Sequence, residues 1–498
     1  MSAAAAPASE DRGWFGHPRG LSTLYFTELW ERFSYYGMRA LLLLFMAAPA
    51  SQGGLGFTDR HAALVYGTYT MSVYLLAIPG GFLGDRFLGA RRAVRVATVL
   101  IASGHFVLAL HGLVSFYAGL VLVALGSGLL KSNMSTMVGD LYRAGDARRD
   151  AAFSIFYQGI NIGAWLGPLV AGFLAQHKAW KALIASYGFA PETSWHWGFA
   201  SAGVGMLVGL MWLRATEHRI AGVGNPPPAS EPRPWGKLAG ILLASVVLFA
   251  FTLLADQPGL TWLRGSYVIV PALIAVGFAL RGTVVSQRMA VVLAFVIAAT
   301  LFWAMFEQGG STMALFADRL TQRNVSGWDW EIPSAWFQSI GAFFVFTLAP
   351  VFAWLWVRLG DRQPSSPIKF VLGLALMSAS FALMVPAAEL TAQGLVSPWW
   401  LVGLFFLQTL GELCLSPVGL AAMTRLAPAR LAGLVMGIWF LSNAFGNKIA
   451  GLLAGEFPDG NPSELAAFFE TQALIVGAGA GMLLLLSPLL KRWLHGAR

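Results

Sequence analysis

The residues most able to do chemistry lie in one short segment, ELWERFSYYGMR at positions 28–39, inside an apolar run from about 22 to 50. Positions 28, 32, 36 and 39 are spaced i, i+4, i+8 and i+11, so Glu28, Arg32, Tyr36 and Arg39 share one helical face, with Glu31 and Tyr35 flanking it. A charged, phenol-bearing face on a hydrophobic helix must meet a polar cavity, because lipid offers it no partner. Two carboxylates beside one arginine also make a proton switch: protonating one changes the partner of the other. Neutralisation by a proton costs less than burying an unpaired carboxylate.

The elements that must position this face follow from composition. The chain has 498 residues, 57% hydrophobic and 11% charged, far from the roughly 25% charged of soluble domains. At about 20 apolar residues per spanning helix, twelve to fourteen spans need roughly 240 to 280 positions. A soluble enzyme with a tail anchor is excluded. Apolar runs bounded by charge, Pro or Gly place spans near 22–50, 61–84, 93–113, 116–139, 152–175 and 197–213, then near 289–309, 335–357, 369–387, 398–423, 431–454 and 468–490. Two more runs, near 236–255 and 265–280, follow the Pro-rich GNPPPASEPRP at 224–234. The expectation is an all-α polytopic membrane protein with fourteen spans: a six-helix bundle over 1–213, a linker with two extra helices over 214–288, and a second six-helix bundle over 289–498.

Loop charge gives orientation. Assigning the loops alternately to two faces puts most Arg and Lys residues, from Arg12 and Arg19 to Arg430 and Arg498, on one side; the other holds only Arg60, Lys178, Lys181, Arg264, Arg319 and Arg323. By the positive-inside rule both termini are cytoplasmic. Residues 1–20 lack the n-region, h-region and cleavage-site pattern, so no cleaved signal peptide is expected. The net charge of +9 sits in short loops and sets topology, so no nucleic-acid partner is expected. Cys414 is the sole cysteine, which leaves no internal disulfide and no zinc-type Cys/His cluster.

Beyond 28–39, Lys131, Lys448, Glu307 and Glu412 also fall within spans. Eight such charges would cost about 20–28 kcal/mol unless they pair or meet water. Two readings stand: ion pairs that hold helices in register, and a hydrated cavity with movable protons. For Lys448, snorkelling at a helix end is a further reading. The segment GFLGDRFLGARR at 81–92 resembles the loop signature of the major facilitator superfamily, and six plus six spans fit transporters built from two repeats.

Glu28, Glu31, Arg32, Phe33, Tyr35, Tyr36 and Gly37 match the E-x-x-E-R-F-x-Y-Y-G signature of the proton-dependent oligopeptide transporter family, a branch of that superfamily. FYQGINIGAWLGP (156–168), GSGLLKSN (126–133), FWAMFEQGG (302–310) and GELCLSPVGL (411–420) extend the resemblance in the family's order over nearly the whole core. It implies proton-coupled import of di- and tripeptides by alternating access, with a central cavity between two bundles and no cofactor beyond the proton. It implies that Arg32 and Lys131 receive the peptide carboxylate, with Glu28 and Glu31 paired to them and tied to proton movement, and that Asn161 and Glu412 meet the amino group. Tyr35, Tyr36, Tyr74, Tyr157, Trp303 and Trp439 are implied to line side-chain pockets with Ser416 beside them. Glu307 is implied as a protonatable acid, with Arg39 as its gate partner.

Departures are visible. FQSIGA carries Gly341 and Ala342 where relatives often have an Asn-Pro pair, which removes an amide contact to the peptide's amino end. Gly67 stands where mammalian relatives have a histidine; His61 reads as a surface histidine. The partners expected are di- and tripeptides, protons and the bilayer of a bacterial inner membrane, for a monomer that is not an enzyme. The rivals weighed are transport of nitrate or another anion, a drug/proton antiporter, and, from a different class, an intramembrane enzyme or peptide receptor. No H-E-x-x-H, G-x-S-x-G or paired-aspartate motif supports the enzyme.

Overall fold

A computed structural model describes residues 11–496 except 144–145, 147, 229, 325–329, 429–431 and 459; Arg430 and Arg498, used above for orientation, lie outside the described residues. The described residues form sixteen α-helices and no β-strand, only isolated bridges at Trp14–His17 and Thr321–Val396. In chain order they are α1 (Arg19–Ala47), α2 (Asp59–Leu83), α3 (Ala90–Leu108), α4 (Leu113–Asp140), α5 (Arg148–Gln176), α6 (Lys178–Ser186), α7 (Ser194–Thr216) and α8 (Trp235–Leu254). Then come α9 (Ser266–Leu280), α10 (Val284–Phe306), α11 (Thr312–Arg319), α12 (Gln338–Leu359), α13 (Ser366–Leu390), α14 (Trp399–Leu426), α15 (Ala432–Ala454) and α16 (Pro462–Trp493). Setting aside the short α6 and α11, fourteen remain, one for each expected span. Eleven helical segments are long and apolar enough to cross a membrane by length and composition. α1 is not among them, because its charged stripe interrupts the apolar run.

The chain divides into two compact units. The first holds residues up to Phe57, Ser72–Val246 and Val325–Phe343. Within it α1 packs on α5 and α7, and α3 packs on α4 and α7. The stretch from Ser334 is fixed to α5: Trp336 Nε1 donates to the Leu169 carbonyl (2.8 Å), and Gln176 bonds both Ser334 Oγ (2.9 Å) and the Ala335 amide (3.1 Å). The second holds Thr58–Met71, Val247–Asn324 and Phe344–Arg498. Here α13 packs on α14 and α16, α10 packs on α15 and α9, and the stacked rings of Phe295 and Phe370 tie α10 to α13.

At the end of α5, His177 is the N-cap of α6 and its Nδ1 accepts the Ala179 amide (3.1 Å). Its ring lies between Phe173 and Trp330, with centroids 4.9 and 4.1 Å away. Burial there holds the imidazole below its ordinary pKa, because the apolar walls disfavour the charged ring, and the neighbouring Lys178 charge acts in the same direction.

Candidate functional site

The charged stripe of α1 is placed by how closely α5 crosses it. A Cβ on Gly163 would stand 2.9 Å from Arg32 Cβ and closer still to the Leu29 carbonyl; one on Gly167 would stand 2.8 Å from the Gly37 amide. These glycines of FYQGINIGAWLGP let the two backbones touch, so a turn of α5 lies directly against the turn that carries Arg32. Small residues at such a crossing are the usual means of close helix packing in a membrane.

Arg32 takes both neighbouring carboxylates. Its Nε is 3.0 Å from Glu28 Oε1 and 2.5 Å from Glu31 Oε2, and all three side chains are buried, Glu31 at 0% exposure. Ser127 of α4 donates to Glu31 Oε1 (3.4 Å), whereas Glu28 Oε2 meets no hydrogen-bond donor among the described residues. The guanidinium also lies over the Tyr35 ring, 5.5 Å from its centroid, and Tyr35 packs edge-on against Tyr36. Lys131 of α4 sets its ammonium 3.3 Å from the centroid of the Tyr74 ring and within electrostatic reach of Glu28. Both glutamates reach Arg32, and the ammonium of Lys131, which the sequence reading groups with them, stands over the Tyr74 ring. Two carboxylates and two cations make this group neutral when all are charged.

The other expected residues of the first unit are close by in sequence register. Asn161 is buried on α5 and donates through Nδ2 to the Tyr157 carbonyl (2.9 Å), which leaves Oδ1 to accept. Tyr157 is 38% exposed, which suits a side chain that meets solute. Arg39 is buried, with its guanidinium 5.8 Å from the Tyr36 ring centroid.

In the second unit Glu307 ends α10 and is buried. Trp303, one turn earlier, is buried edge-on against Phe302 and Phe306, and its indole N–H meets no acceptor among the described residues. Glu412 and Ser416 lie one turn apart on α14, half-buried, and the buried Trp439 of α15 rests its ring on Gly419 of α14. Arg39 and Glu307 belong to different units. The sequence reading missed Ser127, whose place was open to view one residue from Gly126 in GSGLLKSN. It also missed the partner of Lys448, which is 1% exposed and paired with Asp256 rather than snorkelling.

Comparison with known proteins decides the family. The model described as the POT family, PTR2, matches residues 91–464, three quarters of the chain. The chain belongs to the POT family. Among proteins similar to this POT chain, the peptide transporter YePEPT of Yersinia enterocolitica is 40% identical over 98% of this chain and 97% of its own length. A di-/tripeptide transporter of Lactococcus lactis subsp. cremoris is 34% identical over 97% of each. A crystal structure of a mutant peptide transporter POT in complex with alafosfalin superposes with a TM-score of 0.83 at 40% identity, covering 98% of both chains. The POT chain is therefore a multi-pass membrane transporter of the major facilitator fold.

Proposed function

We propose that this POT protein is a proton-coupled symporter that imports di- and tripeptides by alternating access, and that it is not an enzyme. The observation that carries the reading is the charged group on α1 and α4: the buried Glu28, Glu31 and Arg32 with the half-buried Lys131 sum to zero charge. A peptide carboxylate brought to Arg32 and Lys131 makes that sum −1 at a site where an uncompensated charge costs several kcal/mol. One proton taken by Glu28 or Glu31 restores neutrality. Glu28 Oε2, which meets no donor among the described residues, can take a proton without breaking a hydrogen bond. Substrate and proton thus bind with mutual support, which is the thermodynamic content of symport.

The remaining roles are part of the same proposal and rest on matched motif positions. Asn161 and Glu412 meet the peptide amino group; Glu307 is a second proton site, and Arg39 is its gate partner. Tyr35, Tyr36, Tyr74, Tyr157, Trp303, Ser416 and Trp439 contact side chains with broad surfaces that make few fixed hydrogen-bond demands, which suits mixed peptides. The bundles at 1–213 and 289–498, with the pair of helices in 214–288, are the proposed functional division. The proposed setting is a bacterial inner membrane, with cytoplasmic termini and a monomer as the working unit. No cofactor is called for.

The test is uptake of labelled dipeptide into proteoliposomes under an inward proton gradient and inside-negative potential. One proton moving through about 150 mV releases roughly 3.5 kcal/mol, enough for accumulation of a few hundredfold. Uncoupler-sensitive accumulation is the expected result. Facilitated equilibration without accumulation would refute the coupling, and no uptake by folded protein would refute the substrate.

A further inference from the structure

Lys448 lies on α15 six residues before that helix ends, with its ammonium buried. Its Nζ is 2.6 Å from Asp256 Oδ2 and donates to Thr68 Oγ1 at 2.8 Å. Asp256 stands just beyond the end of α8, in the connection to α9. Its other oxygen, Oδ1, faces Arg264 Nη2 at 3.4 Å, and Arg264 Nε donates to the Ala255 carbonyl at 3.2 Å. One turn of α15 earlier, Phe445 stacks on Tyr267 of α9, with centroids 5.0 Å apart and planes 18° from parallel. Most side chains of the two extra helices are exposed: the apolar stretch of α8 is 11% buried and that of the segment ending in α9 is 6% buried. This pair of helices, which also meets the core where α9 packs on α10, places its carboxylate on a buried lysine of a core helix.

Thr68 belongs to the first half of α2, which forms part of the same unit. That half lies directly on α15: a Cβ on Gly451 would stand 2.6 Å from Gly67 Cα. It is tied at its start by the two-pronged Arg319–Asp59 pair, at 2.6 and 2.8 Å. Lys448 therefore joins three elements, and only Asp256 supplies its counter-charge among the described residues. Without that carboxylate a buried ammonium would be left uncompensated, which costs more than the loss of the pair as a whole.

We propose that Asp256 and Lys448 are positioning residues of the transport cycle: the α8–α9 pair supplies the carboxylate that holds the Lys448 ammonium on Thr68, and so sets how firmly the first half of α2 is held on α15. The proposal rests on the transport reading above and gives the two extra helices a task within it. It also fixes an asymmetry. Removing Asp256 strands a lysine at 1% exposure, whereas removing Lys448 leaves an aspartate, 12% exposed, beside Arg264.

The test compares D256N, K448M, the D256N/K448M double variant and T68V in lipid, reading thermal midpoint, KM and kcat for dipeptide uptake. D256N is expected to lower kcat about tenfold, the scale of one charge-assisted hydrogen bond, with KM within about twofold. K448M is expected to lose less, and adding K448M to D256N to recover part of the loss in both kcat and midpoint. T68V leaves the ion pair in place but removes the Lys448–Thr68 bond; it is expected to change kcat about threefold or more with a smaller loss of midpoint than D256N. Wild-type kcat in T68V, together with additive losses in the double variant, would overturn the proposal. If D256N fails to fold, T68V and the double variant carry the decision. A wild type that takes up no peptide would refute the transport reading and this role together. Non-additive midpoints in that case would show that the charge pair itself is real.

Discussion

Replacing Glu31 by Gln tests the charge argument at its centre. Glu31 is at 0% exposure and reaches Arg32 at 2.5 Å, so the variant turns a buried charge-assisted hydrogen bond into a neutral one. Such bonds contribute about 1.5–3 kcal/mol and roughly half of that when neutral, so the local loss is about 1–1.5 kcal/mol, or about tenfold in an equilibrium. The change in charge matters more. The group of Glu28, Arg32 and Lys131 that remains sums to +1, so an arriving peptide carboxylate neutralises it with no proton required. Peptide binding in E31Q should therefore lose its dependence on pH between about 5 and 8, while peptide exchange between the two faces persists. Accumulation driven by a proton gradient should fall from the few hundredfold expected of one proton at about 150 mV towards simple equilibration. The assay pairs counterflow with gradient-driven uptake in the same proteoliposomes, across a pH series. Wild-type accumulation by E31Q with an unchanged pH profile would refute the reasoning, because the four-charge balance would then have no part in coupling.

Other outcomes follow from the same geometry. Lys131→Gln removes one of two cations proposed for the peptide carboxylate and should raise KM for dipeptides about 10- to 100-fold, with a smaller effect on ligands that lack a carboxylate; equal KM for both would contradict the assignment. Gly163→Ala puts a methyl group 2.9 Å from Arg32 Cβ and against the Leu29 carbonyl, so α5 must move off α1; a cost of about 1–3 kcal/mol is expected, read as a lower thermal midpoint with a loss of uptake. His177 titrates below its ordinary value because burial disfavours the charged ring, so its stabilisation is complete above the unfolded value of about 6.5 and is lost as pH falls through the lower folded value. His177→Asn keeps a capping acceptor that does not titrate, and the thermal midpoint of that variant should fall less between pH 7.5 and 5 than that of the wild type.

The spans were legible because a bilayer imposes one length scale on every one of them. All fourteen expected runs correspond to observed helices, with ends that differ by a few residues. α6 and α11 were not foreseen. With nine and eight residues they are too short for a span, and neither breaks the charge pattern that delimits spans. The stripe on α1 was legible because its spacing is helix arithmetic within about three turns of one helix. Lys131 and Tyr74 are 57 positions apart on different helices, so no local period could bring them together; only the family resemblance did. The pair Lys448–Asp256 spans 192 positions and involves an aspartate that reads, in sequence, as an ordinary loop residue.

That last pair shows why a count of membrane charges cannot assign their work. Arg32 and Lys448 are both cations inside spanning helices. Arg32 meets two carboxylates, more acceptors than it needs, so one of them can take a proton and still leave the arginine paired. Lys448 meets one carboxylate, which it shares with Arg264, so protonating that carboxylate would strand the lysine. A cation that keeps a second carboxylate permits a switch, and a cation with a single shared carboxylate is strapped to it. By that criterion the α1 group suits proton coupling and the Lys448 group suits holding α2 and the extra helices in place. The ratio of partners around each buried cation, rather than its presence in a span, therefore separates the two roles.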